Sequence, residues 1–291
     1  KSKSSREFQF DPHGKKYIIP LAGNDSSQEV EIATHEKKYN AVLGKWEYSY
    51  YRIEEPVKIR GSNEFVVGKP VLLEHSPKRK KVVLNILVDA LSWQAMKEQN
   101  YTLLPNIMKF FSKGVIFNQH FSVAEYTFPS LTTIEAGIYT HKSQVFNDAV
   151  NMPLSPEYKV LSEQMRDLGY YCVNIMGCPS LHYTGAGRGY DRQIINSYAQ
   201  RVYEGVERTI QQLEAFGECD QFLFLHVVDV HPWPVNMISM PVASQTCLSL
   251  EDRLWQTKEK VSSVKLSYAP LYAHANMMGV KNTDRSLAVL F

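Results

Sequence analysis

Three places in this 291-residue chain carry residue types that could do chemistry together. The first is Asp89, which follows the apolar run Val82-Val83-Leu84-Asn85-Ile86-Leu87-Val88. Such a run suits a parallel strand covered on both faces, and open α/β sheets build their sites at the carboxyl ends of such strands. The second is Thr127-Phe128-Pro129-Ser130. Pro129 fits the first turn of a helix, which puts the Thr127 hydroxyl just ahead of it, near free N–H groups that favour an anion. The third is His226-Val227-Val228-Asp229-Val230-His231-Pro232, where a second buried-type strand runs out into a loop that Pro232 and Pro234 hold extended. An acid able to hold a metal and an alcohol facing an anion suit the transfer of a phosphate or sulfate group.

Each residue also has a simpler reading. Asp89 could cap the following helix, and Thr127 could be an ordinary N-cap. A neutral alcohol is a poor nucleophile until a divalent cation stabilises its alkoxide, as such a cation acidifies bound water. Thr127 therefore makes chemical sense with a metal beside it, and Asp89 is the available anionic ligand. His226, inside the strand, reads as a satisfied core histidine. His231, in the loop, is the better candidate to bind metal, hold an anionic oxygen or act as general acid.

The elements that must position these groups follow from the rhythm of the chain. Residues 1 to about 80 carry short alternating or aromatic runs such as Tyr17-Ile18-Ile19 and Phe65-Val66-Val67, separated by turn signals such as Gly23-Asn24-Asp25. They read as a small β-rich accessory module, with His75 to Lys81 as a polar, solvated connector. From Val82 onward strands alternate with helices: helix from Leu104 to Phe111, helix from Val160 to Leu168, strand from Tyr171 to Met176, helix from about 198 to 216, strand from Phe222 to Val228, helix near 265 to 279 and strand from 286 to 291. That order predicts an α/β fold, a mostly parallel sheet with helices on both faces, over residues 81–291.

Composition excludes some classes. With 44% hydrophobic and 21% charged residues the chain can bury a core, and a net charge of +2 by itself points to no polyanion. No basic stripe with stacking aromatics argues for nucleic acid, and no run of eighteen apolar residues spans a membrane. Cys172, Cys178, Cys219 and Cys247 are widely spaced, so free structural thiols are expected. The chain starts without Met and ends on the apolar run Ser286 to Phe291, which reads as a piece of a longer protein.

In this order, the segments resemble the alkaline phosphatase superfamily and, within it, the sulfatase-like branch. Val88-Asp89-Ala90-Leu91 with Leu104 to Gly114 (LPNIMKFFSKG) is similar to the family's first metal-ligand strand and next helix. Thr127 to Tyr139, TFPSLTTIEAGIY, resembles the nucleophile segment, and HVVDVHPWP resembles the His-containing loop of sulfatases and phosphoethanolamine transferases. Gly189-Tyr190-Asp191 is similar to the family's Gly-Phe-Asp. The resemblance implies a three-layer α/β/α sandwich and one or two divalent cations (Zn, Mn, Mg or Ca). It implies Asp89 and Thr127 as metal ligands, Thr127 as nucleophile through a covalent intermediate, and His231 as a contact to the transferred group. Ser130 falls where phosphodiesterase relatives place an oxygen-binding Asn. His182 and Arg188, around the loop Gly185 to Gly189, could touch a small-molecule or glycan ester; that loop lacks the spacing of a phosphate loop and reads as mobile.

The departures narrow the chemistry. Formylglycine sulfatases need Cys or Ser where Thr127 stands, Arg where Leu131 stands, and commonly a paired Asp where Ala90 follows Asp89. Their Gly-Lys-Trp-His segment is replaced by Gly177-Cys178-Pro179-Ser180. A phosphoester hydrolase or phosphotransferase with a Thr nucleophile fits better. The family's Asp-His ligand pair occurs nowhere in the chain; the run from Ser286 looks like the strand that would precede it, so this chain alone is expected to hold a half-built site and to be inactive. Two other readings stay open. One is a degenerate relative that binds a glycan or protein, for which Trp46, Tyr48 and Tyr50 would serve unless they pack within strands. The other is an unrelated doubly wound domain in which TFPS merely caps a helix.

Overall fold

The computed structural model describes residues 2–146, 153–196, 200–231, 240–254 and 270–291. The chain divides into two compact units, Lys1–Lys81 with Phe216–Gln221, and Val82–Ala215 with Phe222–Phe291.

The first unit is a seven-stranded sheet of β1 (Lys3–Phe10), β2 (Tyr17–Gly23), β3 (Gln28–Ala33), β4 (Lys38–Leu43), β5 (Ser49–Ile53), β6 (Val57–Val67) and β7 (Val71–Leu72). The order is β4-β3-β6-β2-β5, with β1 on β6 and β7 on β2. The long strand β6 is the hub, pairing antiparallel with β1, β2 and β3. Alternation decides its faces: in β3, Val30 and Ile32 are buried while Glu29 and Glu31 point outward. Ile19, Leu21, Leu43, Ile59 and Phe65 join them in one core. Two details refine the sequence reading. Trp46, Tyr48 and Tyr50 stay 67%, 40% and 38% exposed, although Tyr50, in β5, sets its ring edge-on against Phe216. The stretch from His75 to Lys81 is exposed at Pro77, Lys78, Lys80 and Lys81, but it is also anchored: His75 Nδ1, the Ser76 N–H and Arg79 Nε all reach the buried Asp220 carboxylate, at 2.9, 3.0 and 2.8 Å. A buried carboxylate needs such partners, and it draws the linker in.

The second unit contains β8 (Val82–Val88), α1 (Trp93–Glu98), α2 (Pro105–Phe110), α3 (Thr127–Ala136), α4 (Thr140–Ser143), α5 (Leu161–Asp167), β9 (Tyr171–Met176), α6 (Ser180–Tyr183), β10 (Arg192–Ile195), α7 (Val202–Ala215), β11 (Gln221–Val227), α8 (Val242–Thr246), α9 (Leu250–Leu254) and α10 (Pro270–Leu287). Its strands form a sheet in the order β10-β9-β11-β8, with β10 and β9 parallel. The Asp89 N–H donates to Val227 O at 2.9 Å, so β8 and β11 end together. One face carries Cys172, Met176, Phe222 and Phe224 against Leu131, Val160, Leu181 and Tyr190. On the other, α7 approaches so closely that a Cβ on Gly205 would meet Leu225 at 2.8 Å, and Val88 and Leu91 join Met96, Leu104 and Val280.

The second unit is thus α/β, with β9 and β10 parallel, and the seven-stranded antiparallel sheet belongs to the first unit. Among the described residues strand β8 ends the sheet order, and it is half-buried rather than fully covered as its apolar run suggested. The run from Ser286 is not a strand either. Helix α10 continues to Leu287 because Ala275, Gly279, Val280, Thr283, Asp284 and Leu287 are buried at helical spacing, and this outweighs the β preference of Leu, Val and Phe at the end. Of the helix expected near 265 to 279, residues 265–269 lie outside the described residues, as do residues 198 and 199 of the helix expected from 198 to 216.

Candidate active site

Asp89 is the last step of β8, and the turn that follows places Ala90 at φ +61, a left-handed conformation that non-glycine residues adopt at a cost. The chain leaves the sheet abruptly, and the Asp89 side chain stays at the strand end, mostly buried at 17% exposure.

Helix α3 begins at Thr127 itself, with Tyr126 at the cap position and no side-chain cap. Thr127 is therefore not the N-cap that its sequence position suggested. Its hydroxyl donates to Asp89 Oδ2 at 3.0 Å. Gly137 at φ +66 closes the helix, and its N–H bonds Thr133 O at 2.8 Å.

The same Asp89 oxygen is met by His226 Nε2 at 3.2 Å. His226 is fully buried on β11, two residues beyond Phe224, so the side-chain alternation of the strand puts it on the face toward α3. Its other ring nitrogen, Nδ1, points to the Cys178 sulfur at 3.9 Å. As an imidazolium the ring donates from both nitrogens. Sequence reasoning assigned His226 to the core; the structure places it behind Asp89. The signal that could have found it is positional: an imidazole one step from a strand end, on the same strand face as the core that borders the site.

These contacts tune one another. Burial raises the Asp89 carboxyl, but the His226 hydrogen bond and charge, the charge of His231 and the Thr127 hydroxyl outweigh it, and the group titrates below the usual aspartate value. Burial lowers His226, yet Asp89 and Cys178 push it up to about 9. His231 lies close enough to feel both charges. Burial lowers it, Asp89 partly offsets this, and His226 adds to the lowering, so it is neutral more readily than a free histidine. The loop beyond it, with Pro232 and Pro234, lies outside the described residues.

The remaining candidates are placed elsewhere. Ser130 Oγ donates to Ala124 O at 3.2 Å and lies 3.1 Å from Ser122 Oγ, tying the approach to α3 rather than extending toward Asp89. His182 is exposed on α6 with its ring against Tyr183. Arg188 is not a substrate arm. Its guanidinium bonds Glu163 at 3.3 Å, Leu154 O at 3.2 Å, Gly185 O at 3.3 Å, and Tyr158 O. The loop around it packs closely: a Cβ on Gly189 would stand 2.1 Å from Glu163 N, so only glycine lets the loop lie on α5. Asp229 accepts the Val202 N–H at 2.7 Å and Asn282 Nδ2 at 2.9 Å, which caps the start of α7.

Asp89 and Thr127 offer hard oxygen donors of the kind a divalent cation takes. Among the described residues no group of three or more His, Cys, Asp and Glu side chains converges to hold one.

The sulfatase family model matches residues 81–247, more than half of the chain, and the chain belongs to the sulfatase family. This bears out the resemblance read from its motif segments. A solved protein in the alkaline phosphatase superfamily from Vibrio parahaemolyticus is similar at 15% identity and a TM-score of 0.49, over 74% of this chain and 50% of that one. The lipoteichoic acid synthase LtaP from Listeria monocytogenes is similar at 10% identity and a TM-score of 0.40, over 72% and 50%. The chain spans about half the length of these structures. Among curated proteins none matches.

Proposed function

We propose that this chain supplies the nucleophile side of a metal-dependent site that hydrolyses or transfers a phosphate or sulfate ester, with Thr127 as the attacking group. The family is one of phosphate- and sulfate-ester hydrolases and transferases. The observation that carries the finer reading is the 3.0 Å bond from the Thr127 hydroxyl, at the first position of α3, to Asp89 at the end of β8.

Asp89 orients Thr127 Oγ1 and accepts its hydrogen bond, and His226 holds Asp89 charged. A carboxylate held below its ordinary range is a weak base, so it does not by itself strip a proton from an alcohol. A divalent cation bound by Asp89 and Thr127 would supply that acidity. Thr127 Oγ1 would give its proton to solvent and form the bond to phosphorus or sulfur as the ester oxygen leaves, and water or an acceptor alcohol would later break that bond. His231, whose burial favours the neutral ring, suits a metal ligand or a proton acceptor better than a general acid. Threonine in place of Cys or Ser favours a phosphoester, since formylglycine cannot form from it. A small-molecule or glycan ester is the substrate class.

The test is turnover of generic phosphomonoester, phosphodiester and sulfate-ester substrates by the full-length protein with Mg, Mn, Ca or Zn added. Thr127→Ala should abolish it, and unchanged turnover would end the proposal.

A further inference from the structure

Between α2 and α3 the chain shows its apolar side chains to water. Val115, Phe117 and Phe121 are 75%, 75% and 81% exposed, and Ile116 stands beside them, around a turn at Asn118-Gln119. The two feet of this loop are tied down. At one, the Gly114 N–H bonds Phe111 O at 2.8 Å, and Phe111 sets its ring edge-on to Phe110, which stacks on Phe291 at 4.1 Å. At the other, Ser122 Oγ donates to Ala124 O at 2.7 Å and lies 3.1 Å from Ser130 Oγ in α3. Anchored feet and an aromatic tip make an exposed patch of the kind that soluble monomers rarely keep uncovered.

Charge decides what suits it. Between Glu98 and Glu125 the chain holds no acidic residue, while Lys109, Lys113 and His120 flank the apolar side chains and are exposed. Among the described residues neither lysine makes an ion pair. A second copy docked on the same patch by a two-fold axis would set these cations against themselves, with no carboxylate in the stretch to pair them. An anionic lipid surface fits both halves of the pattern. The rings enter the boundary between headgroups and acyl chains, and the lysines keep their stems on the apolar side and their ammonium groups on the lipid phosphates.

We propose that the loop from Gly114 to Ser122, with Lys109 and Lys113, is an interfacial anchor that docks the second unit on an anionic membrane surface. It does not require the ester chemistry proposed above. The test is cosedimentation of the full chain with vesicles of equimolar phosphatidylserine and phosphatidylcholine, against phosphatidylcholine alone. The chain should bind the mixed vesicles, bind the neutral ones far less, and release as salt is raised. Phe117→Ser and Phe121→Ser, at exposed positions, should each weaken binding about tenfold with an unchanged urea midpoint. Lys109→Gln and Lys113→Gln should each weaken it about fivefold. Lys78→Gln, in the basic connector outside the loop, should leave it unchanged, and Thr127→Ala should bind like wild type, so that vesicle binding and turnover fail separately. No binding to the mixed vesicles, equal binding to the neutral ones, full binding by the two Phe variants, or a loss in Lys78→Gln as large as in Lys113→Gln would overturn the proposal. So would a dimer in sedimentation equilibrium that Phe117→Ser dissociates, which assigns the loop to a second copy.

Discussion

On the antiparallel sheet, Glu7 pairs with Lys58 at 2.6 Å and Arg60 at 3.0 Å, and these cations lower it to about 2 while it stays exposed. At the end of the parallel sheet, Asp89 meets a fully buried imidazole at 3.2 Å, with burial opposing the charges. Both are acid–base contacts of similar length. The difference lies in the medium: exposed charges are screened and add little, whereas buried ones are strongly coupled and costly to separate. The lesson is that contact distance does not find the site. Desolvated polar groups gathered at strand ends do, and here they hold an alcohol against a carboxylate.

Predictions follow that contrast from the largest effect down. Thr127→Ala should lower turnover by at least about 10³-fold with little change in stability, as loss of a nucleophile does. Equal activity in the variant would reduce the buried cluster to a structural one. His226→Ala should cost about 3 kcal/mol in urea unfolding, because it leaves Asp89 without its main partner and opens a cavity. That cost should depend on pH. His226 is raised in the folded state to about 9, so its contribution is complete below the ordinary histidine value and is lost as pH rises through about 9. Asp89 is lowered, so its contribution is present above the ordinary aspartate value and is lost as pH falls below it. The gap in stability between wild type and His226→Ala should therefore narrow as pH is raised from about 7 to about 10. A constant gap would mean that the imidazole is held neutral.

Glu135→Ala should cost about 2 kcal/mol, since it strips the acceptor from the Ser162 N–H at 3.1 Å, from Ser162 Oγ at 2.9 Å and from Tyr190 Oη at 2.5 Å, all buried. Glu7→Gln, by contrast, should shift a thermal melt by no more than the error of the measurement. A large loss there would show that the exposed network is coupled after all.

How much of this was legible in the sequence follows from the same physics. Asp89 and Thr127 could be found because strand ends and helix starts announce themselves through apolar runs and proline. That they touch could not, because some forty residues separate them and tertiary packing sets the distance. His226 was hidden by its neighbours: Phe222 to Val228 is an apolar run, and a histidine inside such a run looks like core until the face it occupies is known. Cys178 carried no spacing motif. Arg188 was misread as a ligand arm because a glycine-rich loop looks open on paper; the close approach of Gly189 to α5 shows the glycines serve packing. The end of α10 was misread because five apolar residues in a row have no visible period, and only the buried positions upstream fix the helix.

One measurement addresses the central claim directly: mass spectrometry of the Thr127-containing peptide after the full-length protein has been mixed with a chromogenic phosphate or sulfate ester and a divalent cation, then quenched in acid. The account predicts one phosphoryl or sulfuryl group on Thr127, absent from Thr127→Ala. Turnover that proceeds with Thr127 never modified, or a label on another residue, would contradict it.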